Sequence, residues 1–227
     1  PRPMTVATTI VERLAAVRAE IEAACERAGR NPAGVTLVAV TKTHPLETIR
    51  EAIVAGLTDL GENRAQEFVL KAEAAAGTGL MPRWHFIGHL QRNKARQVLP
   101  YAGVLHSVDS ERLVAEIERR ATRPLPCYLE VNVAGEASKH GVTVEELPAL
   151  LACAKAASNI EVAGLMTIAP IVDDPEQARP VFRRLRELAS AHGLTGLSMG
   201  MTNDYAVAIE EGATVVRVGR AIFGERR

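Results

Sequence analysis

Lys42 directly follows VTLVAVT (35–41), a run of apolar and β-branched residues that predicts a buried strand. An ammonium group at the end of such a strand is costly unless it is paired or its pKa is lowered. A lysine amine of depressed pKa condenses with aldehydes to form a Schiff base. Position alone supports two interpretations equally: a nucleophilic amine, or a lysine that reaches solvent or pairs with Glu62.

Glycines follow the last two predicted strands, within LSMGMTNDYAVAI and VVRVGRAIFG. Parallel barrels often bind phosphate at this place, because glycine lets backbone amides approach the oxygens and a helix N-terminus adds its dipole. A hydroxyl, two flexible amides and a cation would come from Ser198, Gly200, Gly219 and Arg220. Ordinary turns use glycine in the same way, so this pattern alone leaves both interpretations open.

Together, the lysine and the glycine-rich loops describe a ligand with an aldehyde at one end and a phosphate at the other. Pyridoxal 5′-phosphate (PLP) has both groups. Arg217 alternates with valines in the last strand, so its guanidinium could point into the barrel. A permanent cation beside the pyridine nitrogen would keep that nitrogen unprotonated and weaken the ring as an electron sink. The alternative is a structural ion pair with Glu130 or Glu62.

Eight short apolar or β-branched runs alternate with helical segments along the chain. The predicted strands are 35–41, 59–63, 84–88, 104–109, 127–133, 161–168, 197–201 and 215–219, and the helix candidates between them are 46–56, 64–76, 91–99, 110–121, 143–157, 175–192 and 204–211. A further amphipathic helix, Val6 to Ala28, precedes the first strand. This alternation favours a (β/α)8 TIM barrel with an extra N-terminal helix over an open doubly wound sheet.

Composition limits the functional classes. With 227 residues, 47% of them hydrophobic, the chain is predicted to form one domain over 1–227, and its zero formal net charge provides no field that attracts nucleic acid or an anionic membrane. The basic segment 91–96 lacks interleaved aromatic residues, which favours a solvated helix face. Three widely spaced cysteines fit no disulfide framework, and the histidines fit no metal spacing. The absence of a signal-peptide stretch or membrane span predicts a cytoplasmic protein.

Seven segments carry a family resemblance: AVTKTHP (39–45), GENRAQE (61–67), WHFIGHLQRNK (84–94), VNVAGEASKHG (131–141), GLMTIAP (164–170), SMGMTND (198–204) and VRVGRAIFG (216–224). They resemble the PLP homeostasis proteins, single-domain relatives of the alanine racemase barrel. The resemblance implies that Lys42 carries PLP as an internal aldimine and that Arg217 faces the pyridine nitrogen. It also implies a phosphate site made by Ser198, Gly200, Gly219 and Arg220, and a ring site lined by Asn63, His85 and Met166.

The same resemblance implies a monomeric or weakly associated protein without robust catalysis, which stores PLP and can pass it to apoenzymes. Three positions depart from the family pattern: His44, Arg64-Ala65 and Thr202. The first two bear on the mouth of the site, and therefore on the entry route and partner contacts rather than on the aldimine. One alternative is a PLP-dependent racemase, although the opposing base is commonly a tyrosine from a second domain. The tyrosine nearest the strand-seven loop is Tyr205. Another alternative is a Schiff-base aldolase that uses Glu62 as its acid or base.

Overall fold

Eight parallel strands pair in sequence order and close into a barrel through hydrogen bonding between the first and the last. The computed structural model describes residues 9–136 and 139–224. The strands are β1 Thr36–Val40, β2 Asp59–Glu62, β3 Arg83–Phe86, β4 Val104–Val108, β5 Leu125–Glu130, β6 Ile160–Met166, β7 Gly196–Met201 and β8 Val215–Val218. The (β/α)8 barrel that the sequence predicted is therefore confirmed.

Helices surround the barrel. They are α1 Ile10–Arg27, α2 Leu46–Val54, α3 Ala65–Gly77, α4 Arg92–Val98, α5 Glu111–Arg120, α6 Leu147–Ala156, α7 Arg179–Ala191, α8 Tyr205–Glu210 and α9 Arg220–Phe223, with short 3-10 helices at Pro32–Gly34 and Pro175–Ala178. The apolar faces of these helices and the outward-facing strand residues form the main core. Of the helices in the described ranges, none combines the length and apolar character needed to cross a membrane.

The extra N-terminal helix is present, and it begins later than predicted. Thr9 caps α1: its hydroxyl accepts from the Glu12 amide at 3.2 Å, and its own amide donates to the Glu12 carboxylate at 2.8 Å. The helix therefore starts at Ile10, and positions 6–8 of the predicted helix lie outside the described residues. Its buried face packs against α8 and α9 at the end of the chain.

Several predicted boundaries were wrong for local reasons. The predicted capping box between Thr143 and Glu146 forms, but the residues from 144 to 146 make a turn. α6 therefore begins only at Leu147. β5 ends at Glu130, since Val131 makes only an isolated bridge with Val142. The predicted helix 175–192 is a 3-10 helix followed by α7, and α9 is a single turn that the sequence analysis missed.

Candidate functional site

A cavity of about 650 Å³ opens at the carboxyl ends of the strands. In parallel barrels the loops that follow the strands meet at this face, so residues distant in sequence come together there. Predicted site residues on its wall are Lys42, Asn63, Arg217, Gly219 and Arg220. The cavity therefore brings the lysine after β1 and the loop after β8 to one space.

Residues on both sides of Lys42 are fixed by α3. Lys71 Nζ donates to the Thr41 carbonyl and to Glu62 Oε1, both at 2.6 Å, and to Glu67 Oε1 at 2.7 Å. The Thr41 hydroxyl also donates to Glu62. Because these groups are mostly buried, the contacts hold the backbone immediately before Lys42 in one position.

The turn after Lys42 is held in the same way. The Thr43 amide donates to Glu67 Oε1 at 2.5 Å, and Thr43 has φ 69°, a left-handed conformation that non-glycine residues seldom adopt. Burial raises the pKa of Glu67, but the bonds from Lys71 and Thr43 outweigh it and leave the pKa below its usual value. Glu67 is therefore ionised and accepts both bonds at neutral pH.

Glu62, which the sequence suggested as an ion-pair partner for Lys42, is completely buried and forms an ion pair with Lys71. Burial raises the pKa of Glu62, against the hydrogen bonds from Lys71 and Thr41. Glu62 is also absent from the cavity wall, although it precedes Asn63. The triad of Glu62, Glu67 and Lys71, which we call the α3 clamp, supports the turn from behind.

Asn63 lines the cavity and carries an unsatisfied polar atom. Its side-chain oxygen is buried, and no hydrogen-bond donor contacts it among the described residues. An unpaired buried polar atom costs on the order of 1–3 kcal/mol. A ligand that places a donor, or a water that bridges to one, beside this oxygen would therefore bind favourably.

The loops after β7 and β8 form the side of the cavity predicted to hold phosphate. Thr202 and Asn203 line it together with Gly219 and Arg220, and Arg220 Nη2 donates to Asn203 Oδ1 at 2.6 Å. A Cβ at Gly219 would lie 3.1 Å from the Val40 carbonyl oxygen, so glycine allows this loop to approach the end of β1.

Ser198 and Gly200, both predicted to hold phosphate, do not line the cavity. Ser198 is completely buried, and its hydroxyl lies 2.6 Å from Arg217 Nη1 and 2.7 Å from His106 Nδ1. Gly200 has φ 95°, and a Cβ there would lie 2.6 Å from the Ala208 Cβ. Gly200 therefore allows the left-handed backbone near the end of β7 and the close packing of α8.

His85 and Met166, predicted to line the cofactor ring, also lie away from the cavity wall. His85 Nδ1 lies 2.8 Å from His106 Nε2, and its Nε2 lies 2.9 Å from Asp59 Oδ1 at the amino end of β2. Met166 belongs to a small apolar cluster inside the barrel, with Val38, Val104, Tyr128 and Val215. Both side chains occupy the filled interior of the barrel.

Arg217 does reach the cavity from inside the barrel. Its Nη1 donates to the Ser198 hydroxyl, and its Nη2 donates to the Thr167 carbonyl at 3.0 Å. Burial lowers the pKa of Arg217 to about 10, with the negative charges of Glu130 and Asp204 opposing the shift. Arg217 therefore remains a cation at neutral pH.

Comparison with known proteins decides the family. The chain is 45% identical over 225 residues to a pyridoxal phosphate homeostasis protein of Aquifex aeolicus, covering 95% of this chain and 98% of that protein. It is 44% identical over 224 residues to a protein of the same name from Pseudomonas aeruginosa, covering 96% of each. This chain belongs to the pyridoxal phosphate homeostasis protein family. The family model for the alanine racemase N-terminal domain matches residues 13–227.

Solved structures of PipY and of an alanine racemase are similar in fold to this chain. PipY of Synechococcus elongatus, solved with PLP bound, matches with a TM-score of 0.83 at 34% identity and covers 95% of this chain and 100% of its own. Alanine racemase of Corynebacterium glutamicum matches with a TM-score of 0.68 at 18% identity, over 92% of this chain and 60% of the racemase. The second likeness shows the fold alone.

Glu130 is a cavity residue that the sequence analysis considered only as a partner for Arg217. Burial, aided by the nearby Asp109 and opposed by Arg217, raises the pKa of its carboxyl group to about 7. Glu130 ends β5, and a polar residue at the end of a barrel strand is the signal that could have identified it. The same signal applies to Thr202 and Asn203 after β7.

His89, Asp109 and His140 meet at the cavity rim, although the sequence analysis predicted no metal site. Their potential ligand atoms lie within 4.8 Å of one another. The two imidazole rings stack with centroids 4.0 Å apart and planes 9° apart, and His89 Nδ1 lies 3.0 Å from Asp109 Oδ2. Nearly parallel rings direct their lone pairs into separate planes, so one ion could meet both only after a ring rotates.

Proposed function

We propose that this homeostasis-family protein binds PLP covalently through Lys42 and acts as a reservoir and carrier of the cofactor. The observation that carries the proposal is that Lys42 and the Gly219–Arg220 loop line the same cavity of about 650 Å³. The Lys42 amine would attack the aldehyde carbon of PLP, forming a carbon–nitrogen double bond and releasing the aldehyde oxygen as water. PLP bound in the PipY structure supports this assignment.

The cavity residues suit the remaining parts of PLP. The Gly219 backbone and the side chains of Thr202, Asn203 and Arg220 would hold the phosphate. The unsatisfied Asn63 oxygen would accept a hydrogen bond from the cofactor or from a bridging water. Arg217 would face the pyridine nitrogen. Of the predicted set, His85, Met166, Ser198 and Gly200 would support these groups from behind the wall.

A carrier role fits the residues around the cavity. Bound PLP supplies an electron sink for carbanion chemistry, and a cation at Arg217 would weaken that sink. Racemisation by two bases also commonly uses a tyrosine opposite the lysine. Within the described ranges, the cavity wall includes none of Tyr101, Tyr128 and Tyr205. Glu62, the acid or base of the aldolase alternative, is buried against Lys71 and Thr41.

The proposal extends to the domain organisation, cellular compartment and partners of the protein. Closure of the barrel by β1 and β8 favours one PLP-binding domain over residues 1–227. Three free cysteines suit a reducing compartment such as the cytoplasm. Recipients of the cofactor would be PLP-dependent apoenzymes that approach the cavity mouth, and the protein itself would be a monomer or a weak dimer.

The first experiment loads the protein with PLP, reduces it with borohydride and maps the labelled peptide. We expect a visible absorption band and a label on Lys42, and loss of both in Lys42→Ala. Lys94→Ala, a lysine change outside the cavity wall, is the matched control and should label as the unmodified protein does. A label on another lysine, with Lys42→Ala unaffected, would contradict the proposal.

The second experiment separates the carrier from an enzyme. The PLP-loaded protein is incubated with individual amino acids, and the enantiomers are quantified over many equivalents of protein. We expect no sustained turnover beyond that of free PLP. Sustained racemisation that disappears in Lys42→Ala would overturn the carrier assignment and leave PLP binding intact.

A further inference from the structure

A continuous line of hydrogen bonds runs through the barrel interior behind Arg217. Its four members are Asp59, His85, His106 and Ser198, and we call them the polar chain. Successive contacts measure 2.9 Å from Asp59 to His85, 2.8 Å between the two histidines and 2.7 Å from His106 to Ser198. The last contact, 2.6 Å, joins Ser198 to Arg217.

The two ends of the line fix the direction of its hydrogen bonds. Arg217 has only donors, and an ionised Asp59 has only acceptors. If both histidines are neutral, His85 donates from Nε2 to Asp59 and must accept at Nδ1 from His106 Nε2–H. His106 Nδ1 then accepts from the Ser198 hydroxyl, which accepts in turn from Arg217. Every group is satisfied in this arrangement.

Reversing the direction would leave unsatisfied groups. If His85 kept its Nε2 proton and gained one on Nδ1, it would be an imidazolium. His106 would then accept at Nε2 and donate from Nδ1 to Ser198. The Ser198 proton would in that case face no acceptor within the polar chain. The charged groups that act on the two rings are Asp59, Arg83 and Arg217. Burial lowers the pKa of both rings, most strongly that of His106, and only the Asp59 contact at His85 opposes it.

Buried neighbours hold the side chains of the polar chain in place. His85, His106 and Ser198 are at most 2% exposed, and Tyr128 stacks on His106 with ring centroids 4.9 Å apart. Asp59, at the far end, is half-buried and receives a second bond from the Thr58 hydroxyl at 2.7 Å. It lines a separate cavity of about 370 Å³ on the opposite, amino-terminal face of the barrel.

We propose that the polar chain, from Asp59 to Ser198, positions the Arg217 guanidinium through hydrogen bonds of a single direction. In this arrangement both histidines are neutral Nε2–H tautomers. Arg217 is anchored by Ser198 on one side and by the Thr167 carbonyl on the other, so its charge is presented to the cavity in one orientation. The effect on PLP rests on the proposed function, because it is Arg217 that would face the cofactor.

The direct test uses the unmodified protein without PLP. Long-range proton–nitrogen spectra of the histidine rings report which nitrogen carries the proton, with signals assigned through His85→Gln and His106→Phe. We expect neutral Nε2–H tautomers for both rings from about pH 6 to 8, the range in which an ordinary histidine titrates. An Nδ1–H tautomer of His106, or an imidazolium at either position at neutral pH, would overturn the proposal.

The second test breaks the chain at Ser198. Ser198→Ala leaves Arg217 Nη1 and His106 Nδ1 without their shared partner, so we expect PLP affinity to fall about tenfold and the visible band of the loaded protein to shift. Borohydride should still label Lys42. Thr78→Val, which removes a hydroxyl bond at the end of α3, is the matched control and should change neither quantity.

The outcomes separate this inference from the proposed function. Unchanged affinity and spectrum in Ser198→Ala would overturn the positioning role even if labelling at Lys42 succeeds. Failure of labelling in the unmodified protein would overturn covalent PLP binding, while the tautomer measurement would still decide the direction of the hydrogen bonds in the polar chain. If Ser198→Ala does not fold, Ser198→Thr retains the hydroxyl, and restoration of folding there would locate the defect in the lost bond.

Discussion

At the scale of single residues, depth along the barrel axis separates the groups that line the cavity from those that support it. Lys42 and Arg217 reach the cavity, whereas Ser198 and His85 lie within the interior. The sequence indicates the strand to which each residue belongs and which neighbours in that strand point to the opposite side of the sheet. It does not give the stagger between strands, which sets the layer that each side chain enters. The positions of Ser198, His85 and Met166 behind the cavity wall share this cause.

Glu130 provides a stability prediction with a defined sign. Its folded-state pKa is raised to about 7, so the folded protein binds a proton that the unfolded chain releases above the ordinary carboxyl pKa. The contribution of this group to stability is therefore lost as pH rises from about 4.5 to 7. We expect Glu130→Gln to change stability little at pH 5 and to stabilise the protein at pH 8 by on the order of 2 kcal/mol.

Urea unfolding of the PLP-free protein at the two pH values measures this difference. Glu145→Gln, a change at an exposed glutamate, is the control and should alter stability much less than Glu130→Gln does. An equal effect of Glu130→Gln at both pH values, or destabilisation at pH 8, would contradict the raised pKa.

At the scale of elements, α3 does more than cover the barrel. The α3 clamp joins the helix to the end of β2 and to the turn that carries Lys42. Strands and most helices followed from the periodicity of the sequence, because burial imposes a repeat of two or of 3.6 residues. The contact between Lys71 and the Thr41 carbonyl could not be predicted, since it depends on the angle at which α3 packs. α9 is too short for periodicity to identify.

Removing the clamp cation tests this positioning. Lys71→Met leaves Glu62 buried beside Thr41 without its ion pair, so we expect a loss of about 3 kcal/mol in the free energy of unfolding. The turn around Lys42 also loses a bond to the Thr41 carbonyl, and we expect slower labelling of Lys42 by PLP and borohydride. Denaturant unfolding and timed reduction measure the two effects.

A double substitution separates the effect of the unpaired buried charge on stability from the effect of the lost clamp contacts on the position of Lys42. Glu62→Gln combined with Lys71→Met removes both charges, so stability should partly recover while labelling stays slow. Lys155→Met, an exposed lysine of α6, should alter neither measurement. Labelling of Lys71→Met at the original rate would show that the clamp does not position Lys42.

At the scale of the whole molecule, the barrel has two distinct faces. The carboxyl-terminal face holds the cavity with Lys42, and the amino-terminal face holds the smaller cavity that Asp59 lines. The overall topology was predictable because eight βα units in this length have few ways to bury their apolar faces. The second cavity was not predictable, because it forms where α1 crosses the barrel near residues 56–59. The sequence contains no signal for that contact.

Closure of the sheet has a consequence for behaviour at high concentration. Since each of the eight strands pairs with two neighbours, the described part of the barrel presents no row of free amides and carbonyls onto which another molecule could add a strand. Edge-to-edge aggregation, the usual hazard of β structure, is therefore blocked by topology in the folded state. Self-association must instead proceed through side chains, and Ile171, which is 95% exposed beside the cavity mouth, is an apolar side chain available for it.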